Sequence, residues 1–196
     1  MKLRPLVRSL RRYDARGNHV VYSCAGRAAS KNVADNVRHM VVEMERIFDG
    51  NSADGRMVWI VDFAGFGWRD CNPKLGLEAM PLFASHYPER LSQWVMVDPP
   101  AVFSVMWAAI FPTLDPVTQR KIAVLKGPAS IDAHFAEHWA AERGADPALA
   151  PWLRAVFASK RAAPGAWPAG LATLSAALDD ETTVAWLARS ENGAAR

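Results

Sequence analysis

The sequence predicts an α/β fold built on a mostly parallel β-sheet with helical crossovers. Short apolar runs rich in β-branched and aromatic residues recur at residues 57 to 63, 94 to 98 and 121 to 126, as expected for strands buried on both faces. Between these runs lie helix-compatible segments at residues 75 to 91 and 100 to 111. Strands that alternate with helices in this way indicate parallel pairing.

The chain ahead of the first buried run contributes one more strand and an amphipathic helix. A turn at residues 14 to 18 introduces residues 19 to 23, which we expect to form a strand at the edge of the sheet. Residues 31 to 49 carry apolar side chains at helical spacing and charged side chains on the other face. The sequence Asp-Gly-Asn at residues 49 to 51 then ends this helix.

The charge distribution separates the N-terminal end from the rest of the chain. Net charge is +3, but five of the 23 basic residues precede Tyr13 with no acidic residue among them, which leaves 18 basic against 20 acidic residues. The chain from Tyr13 onward therefore has no excess of positive charge and is not expected to bind nucleic acid. Residues 1 to 12 are therefore predicted to be a basic arm, which is either an amphipathic helix on an anionic membrane, a frayed solvated terminus or a segment packed on the rest of the chain.

The C-terminal residues 142 to 196 form the last predicted unit, an extension rich in Ala, Pro and Trp whose composition favours helices. Tryptophans here either dock these helices on the body or form a surface for a protein partner, and docking is favoured because Trp buries so much area. They are Trp139, just before the extension, and Trp152, Trp167 and Trp186.

Composition sets the broad class of protein. Hydrophobic residues make up 51% of the chain and charged residues 22%, which predicts a packed core. No uncharged stretch reaches the roughly 20 apolar residues of a membrane-spanning helix. Cys24 and Cys71 lie far apart and fit no disulfide framework or metal motif, so a reducing cytoplasm is the expected setting.

One motif suggests catalysis. His134, Glu137 and His138 match the HxxEH pattern of inverted zinc proteases, in which two histidines hold Zn²⁺ and the glutamate acts as a general base. The alternative is a solvated helix face, and five-residue motifs often match by chance. We favour the surface alternative, and we expect no catalytic residue, no metal site and no cofactor.

The segment from residue 99 to 121 is the most unusual in the chain. Five large apolar side chains form a wide stripe along its helix: Phe103, Met106, Trp107, Ile110 and Phe111. Such a stripe is typical of a core helix. Because the remaining positions are also mostly apolar, the helix needs apolar neighbours on two sides. A bound apolar ligand can be one of these neighbours.

Four motifs in this part of the chain carry a family resemblance. They are VDFAGFG at residues 61 to 67, HYPERL at 86 to 91, DPPAVFSVMW at 98 to 107 and FPTLDPVTQRKI at 111 to 122. Their order and spacing resemble the CRAL-TRIO family, also called the Sec14-like lipid-binding domain. The resemblance covers residues 13 to 141, whereas the small helical domain that usually precedes this core has no counterpart beyond the basic arm.

The resemblance implies a sheet that floors an apolar pocket for one lipid, closed by a gate helix at residues 100 to 114. It implies that the pocket and gate include the apolar stripe together with Trp59. In members that bind phosphatidylinositol, the headgroup residues correspond to Glu89, Asp115, Thr118 and Lys121. Members that also bind phosphatidylcholine carry small hydroxyl residues where this chain has Met57 and Trp59, so phosphatidylcholine exchange is not expected.

The function implied by the resemblance is binding, and intermembrane transfer, of a phospholipid, with phosphatidylinositol as the expected ligand. The expected partners are this lipid and, transiently, a membrane surface, for a cytoplasmic protein that associates peripherally with membranes. The alternative is a lipid-sensing or scaffold domain that does not transfer lipid and binds protein partners instead. A more distant alternative is a zinc-dependent hydrolase that uses the motif at residues 134 to 138.

Overall fold

A computed structural model describes residues 7–27, 30–48, 55–140 and 144–162 of the chain. The strands are β1 (Val7–Tyr13), β2 (His19–Cys24), β3 (Met57–Asp62), β4 (Leu91–Val97) and β5 (Ile122–Leu125). The helices are α1 (Val33–Phe48), α2 (Pro73–His86), α3 (Ala101–Ile110), α4 (Pro116–Arg120), α5 (Gly127–His138) and α6 (Leu149–Ala162). Short 3-10 helices cover Ala25–Arg27, Trp68–Asp70 and Phe111–Thr113.

The five strands form one sheet in the order β1-β2-β3-β4-β5. Strands β2 to β5 pair in parallel, and α1, α2 and the α3–α4 segment are the crossovers between them. This arrangement confirms the predicted α/β class with a mostly parallel sheet. Because the parallel strands follow one another in sequence order, crossovers of the usual right-handed sense place α1, α2 and α3 on the same face.

The N-terminal part of the sheet differs from the prediction. Strand β1 pairs antiparallel with β2, so β2 is an inner strand, and the expectation of an edge strand at residues 19 to 23 is wrong. The helical interpretation of the basic arm is also wrong from Val7 onward, because this stretch is extended and packs on the body as a strand. The predicted turn is confirmed: the Asp14 carboxylate accepts hydrogen bonds from the backbone N–H groups of Arg16 and Asn18.

Alternate residues of the strands face opposite sides of the sheet, as the pleat requires. One set, which includes Tyr22, Ile60 and Val97, packs against α5 and α6. The other set includes Trp59 and lies beneath α1 and α2, while Met96 lies beneath α3. The sheet therefore has two cores, and the core under α1 to α3 contains the candidate site.

Helix α6 docks on the face of the sheet opposite the candidate site. Trp139 and Trp152 are about 1% exposed, and the Trp152 ring meets Tyr22 of β2 edge-on with centroids 5.8 Å apart. These two tryptophans confirm the docking interpretation. Trp167 and Trp186 lie outside the described residues.

Helix α2 ends earlier than its sequence pattern predicts. It runs over Pro73–His86 instead of residues 75 to 91, and β4 already begins at Leu91. Pro88 explains the difference, because a proline disfavours helical backbone at the residue before it. Residues 87 to 90 therefore form a separate turn, and this turn carries one of the predicted headgroup residues.

Candidate functional site

Two cavities open on the face of the sheet covered by α1, α2 and α3. The first, here called the apolar cavity, has a volume of about 190 Å³ and is lined mainly by aromatic and aliphatic side chains. The second, here called the polar cavity, has a volume of about 370 Å³ and includes several charged side chains in its wall. The two share Trp59, Met80 and Trp94, so they are adjacent compartments separated by these three side chains.

Helix α3 forms one wall of the apolar cavity. Phe103 is buried, stacks on Trp107 with centroids 5.5 Å apart, and lies 4.3 Å from the ring of Phe63. Met106, Trp107 and Ile110 line the same cavity, as does Trp59 from the sheet. The opposite side of the helix faces outward, where Val105 is 66% exposed. Five of the six residues predicted for the pocket and gate therefore lie around one cavity.

Phe111 is the predicted gate residue that the structure places elsewhere. It lies just after α3, where its ring packs 5.5 Å from that of Trp107. It contributes to an open depression between α3 and the end of β5, which includes Val124, and it is not part of the apolar cavity wall. The 3-10 turn that begins at Phe111 accounts for this position, because it redirects the chain toward α4.

All four predicted headgroup residues line the polar cavity. Lys121 Nζ lies 3.2 Å from Glu89 Oε2 and forms an ion pair with it. The Lys121 side chain is only 18% exposed, whereas that of Glu89 is 71% exposed. The ammonium group is thus inside the cavity, and the carboxylate approaches it from the rim.

Asp115 and Thr118 belong to the short helix α4. Asp115 caps this helix, and its Oδ1 accepts hydrogen bonds of 2.9 Å from the backbone N–H groups of Val117 and Thr118. The Thr118 hydroxyl also donates to this carboxylate, and these hydrogen bonds lower its pKa. Asp115 therefore stays ionised and fixes the start of the helix that presents Thr118 and, at its end, Lys121.

Glu89 adopts an unusual backbone conformation. Its φ is +58°, and the Arg90 N–H donates to the Tyr87 carbonyl at 3.3 Å, which closes a turn over residues 87 to 90. Proline precedes Glu89, and the third position of such a turn normally holds glycine because its φ is positive. Holding a glutamate there costs about 1 to 2 kcal/mol. An exposed charged side chain kept in this conformation favours a role in binding.

The same turn is attached to α1 and to the start of β3. The Arg90 guanidinium donates to the Gly55 carbonyl at 2.9 Å and lies over the Phe48 ring, 4.9 Å from its centroid. The Tyr87 hydroxyl donates to Glu45, and burial together with this carboxylate raises the pKa of Tyr87 to about 12. The rim of the polar cavity is therefore anchored on both sides of Glu89.

Trp94 and Met80, which separate the two cavities, are among the residues of the site that sequence reasoning missed. Trp94 lies directly opposite Trp59 in the parallel register of β3 and β4, and the two rings stack with centroids 5.6 Å apart and an interplanar angle of 14°. Register between distant strands is not encoded in the local sequence of either strand. The only available signal was the tryptophan at the beginning of the apolar run at residues 94 to 98.

The histidines of the HxxEH motif lie far from both cavity walls, on α5. His134 is 8% exposed and shares a helix stripe with Ile131 and Phe135, which pack on the sheet, so the expectation that it is a surface residue is wrong. Its ring lies 4.4 Å from that of His138, and burial lowers the pKa of His134 to about 4. Within the described ranges, no group of three His, Cys, Asp or Glu side chains is placed to hold a metal ion.

No helix in the part of the chain that the structure describes is long and apolar enough to cross a membrane. Helix α3 is the most apolar of these helices but has only 10 residues.

Comparisons with known proteins agree with this architecture. The crystal structure of Sfh5 matches with a TM-score of 0.53 and 24% sequence identity, over 63% of this chain and 49% of the Sfh5 chain. This chain thus spans about half the length of Sfh5, and the likeness supports the fold alone. The family model described as the CRAL/TRIO domain matches residues 4–142. Because that match covers most of the sequence, the chain belongs to the CRAL/TRIO domain family, whose members bind lipids.

Proposed function

We propose that this chain binds one phospholipid molecule and transfers it between membranes, with phosphatidylinositol as its preferred ligand. The observation that carries the proposal is the contact between two unlike cavities. One includes Glu89, Asp115, Thr118 and Lys121 in its wall, the other is lined mainly by apolar side chains, and they meet at shared residues. A ligand that fills both must have a polar end and an apolar end.

The polar cavity suits a phosphorylated headgroup. The ammonium of Lys121 is largely shielded from solvent, and a charge-assisted hydrogen bond to a phosphate is strongest in such a place. The Thr118 hydroxyl lies at the same cavity, and in this proposal its single proton turns from Asp115 to a phosphate oxygen when the ligand binds. In this proposal Glu89 orients Lys121 and accepts hydrogen bonds from inositol hydroxyls, which a choline headgroup does not provide.

The apolar cavity suits acyl chains but has to enlarge to hold them. Each buried CH₂ group contributes about 0.8 kcal/mol, so shielding even part of two chains is strongly favourable. The volume of about 190 Å³ is below the 300 to 1,000 Å³ of typical small-molecule pockets. Helix α3 covers this cavity, and its outward movement is the simplest way to admit a lipid.

The outer side of α3 is suited to a membrane surface when the helix moves. Val105 is already exposed there, and a separate open depression between α3 and the end of β5 is lined by Trp107 and Phe111. Opening would transfer apolar side chains from the cavity wall to the bilayer, and their burial there would offset the cost of opening. We therefore propose a cytoplasmic protein that associates peripherally and transiently with membranes.

Phosphatidylcholine is proposed to be a poor ligand. Met57 and Trp59 are 5% and 4% exposed and fill the strand positions that carry small hydroxyl residues in members that bind this lipid. The work of the site is binding and exchange, and the proposal contains no chemical step. The scaffold alternative receives no support from Trp139 and Trp152, because both are buried in the protein's own core.

Native mass spectrometry followed by lipid extraction tests the proposal. The purified full chain is incubated with vesicles that contain equal amounts of phosphatidylinositol and phosphatidylcholine, and the mass added to the protein is measured. A one-to-one complex with phosphatidylinositol, followed by its delivery to acceptor vesicles, is the expected result. No bound phospholipid, or equal loading of both lipids, would contradict the proposal.

A further inference from the structure

The two tryptophans between the cavities differ in the state of their indole N–H groups. Trp59 Nε1 donates to Ser23 Oγ at 3.0 Å. Trp94 Nε1 is buried and has no acceptor among the described residues. Trp139 and Trp152 also carry a buried indole N–H without an acceptor, but neither lines one of the two cavities. Among the buried indole N–H groups without an acceptor in the described residues, that of Trp94 is therefore the one placed at a cavity.

Trp94 lies between the residues proposed for the two ends of the ligand. Its backbone N–H donates to the carbonyl of Lys121 at 2.9 Å, so it adjoins the headgroup lysine. Its ring meets Trp107 of α3 edge-on, with centroids 5.5 Å apart and an angle of 86°. Trp94 thus contacts both the strand edge beside the polar cavity and the helix that covers the apolar cavity.

We propose that Trp94 is a specificity-determining residue whose indole N–H donates a hydrogen bond to an ester carbonyl oxygen of the bound phospholipid. This inference rests on the proposed phospholipid binding. In a diacyl phospholipid the ester groups lie between the phosphate and the acyl chains. The protein presents Lys121, then Trp94, then the apolar cavity in the same order. An indole N–H is a donor only, and an ester carbonyl is an acceptor only, so the two groups are complementary.

Movement of α3 explains how the ligand reaches this donor. The N–H of Trp94 is covered by protein atoms in the closed arrangement, and Trp107 is one of the side chains packed against the ring. When α3 moves outward, Trp107 leaves with it and uncovers Trp94. The ligand that enters then supplies the acceptor that the buried N–H of Trp94 requires. Closure of α3 is therefore more favourable when the bound lipid has ester carbonyl groups than when it has none.

A competition between two lipids tests this role. The full chain is incubated with equal amounts of dioleoyl phosphatidylinositol and its dialkyl ether analogue, which has the same headgroup and chain length but no ester carbonyls. Native mass spectrometry distinguishes the two complexes by mass. We expect the wild-type chain to prefer the ester lipid by about three- to tenfold, the range expected for one net hydrogen bond. Trp94→Phe removes the donor and is expected to bring the ratio close to one.

Two further variants sharpen the comparison. Trp68→Phe makes the same change of ring at an exposed position that lines neither cavity, and it is expected to keep the ester preference. Trp94→Leu, which also lacks a donor, replaces Trp94→Phe if the latter does not fold. A wild-type ratio of one, or an ester preference that survives both substitutions of Trp94, would overturn the inference while leaving phospholipid binding intact. Loading of neither lipid would overturn the proposed function, and this inference with it.

Discussion

Lys121 Nζ and Glu89 Oε2 lie 3.2 Å apart although 32 residues separate them in the sequence. The glutamate comes from the turn that precedes β4, and the lysine comes from the end of α4, just before β5. Because β4 and β5 are adjacent and parallel, their N-terminal ends meet at the same edge of the sheet. The ion pair therefore joins the two loops that form the rim of the polar cavity.

Lys121→Ala is expected to weaken phosphatidylinositol binding selectively. Loss of one charge-assisted contact to a phosphate costs about 1.5 to 3 kcal/mol, or about 10- to 150-fold in affinity. Lys74→Ala is the matched control, because Lys74 is an exposed lysine that lines neither cavity nor the depression beside α3. Equilibrium binding to vesicles of defined headgroup is the measurement. An equal loss for every headgroup would contradict a headgroup role for Lys121.

Glu89→Gly is expected to stabilise the protein and to weaken ligand binding. Glycine adopts the positive φ of this position without strain, which stabilises the folded state, but it also gives the unfolded chain more conformational freedom. The net effect should raise the free energy of unfolding by about 0.5 to 1 kcal/mol. The ion pair that is lost contributes little because Glu89 is exposed. Urea denaturation and phosphatidylinositol binding are the measurements.

Glu89→Gln is the control for this substitution. It keeps the strained backbone and removes only the charge, so its stability should match that of the wild type while its binding falls as in Glu89→Gly. A glycine variant that is less stable than the glutamine variant would show that the turn does not strain this residue.

The order of elements was predictable because each buried strand is a local signal. The apolar runs at residues 57 to 63 and 121 to 126 each contain a strand of the structure, and the run at residues 94 to 98 covers the second half of β4, which begins at Leu91. Strand β1 was missed because its arginine-rich sequence has no apolar run, and its stability comes from pairing with β2, a contact that composition does not report. Because β1 was missed, residues 19 to 23 were predicted to form the edge strand of the sheet.

The candidate site was predictable only in part, for a similar reason. The motifs identified the charged residues of the polar cavity, and the helical stripe identified most of the residues of α3 that line the apolar cavity. The contribution of Trp94 depends on the register of β3 against β4, which places it beside Trp59. His134 was predicted to be a surface residue, but it is buried. Its neighbours on α5, Ile131 and Phe135, pack on the sheet, and His134 lies on the same buried stripe.

Acidification is expected to destabilise the protein through His134. Its pKa is lowered to about 4 by burial and, secondarily, by His138, whereas the unfolded chain keeps the usual value of about 6.5. Between these values the unfolded chain binds a proton that the folded chain does not, so the free energy of unfolding falls as the pH drops from about 6.5 to about 4. The expected loss is about 1 to 3 kcal/mol.

Denaturation of two variants at pH 7 and pH 5 isolates this contribution. His134→Leu removes the titrating group and should lose less stability than the wild type on acidification. His138→Gln keeps the buried histidine and should still show most of the loss, because His138 is the smaller cause of the shift. Equal pH dependence in the wild type and in His134→Leu would assign acid sensitivity to other groups.

Cross-linking α3 to α2 is expected to stop lipid transfer. A β-carbon added at Gly76 would lie 2.4 to 3.4 Å from side-chain carbons of Ile110, so the two positions face each other closely across the helix interface. A disulfide needs β-carbons about 3.5 to 4.5 Å apart, a separation compatible with this approach. The double substitution Gly76→Cys and Ile110→Cys therefore permits a bond between the last turn of α3 and its neighbour.

The oxidised and reduced forms of this variant are compared in a vesicle-to-vesicle transfer assay. Oxidation should slow transfer by about tenfold or more if α3 must move for the lipid to leave, and reduction should restore it. Lipid already bound should remain bound in the oxidised form, because the bond blocks exchange and leaves the equilibrium contacts in place. The control carries Gly76→Ser with Ile110→Cys, which changes packing similarly but cannot form the bond. Transfer at the same rate in oxidised and reduced protein, with the cross-link verified by mass, would show that α3 is not the gate.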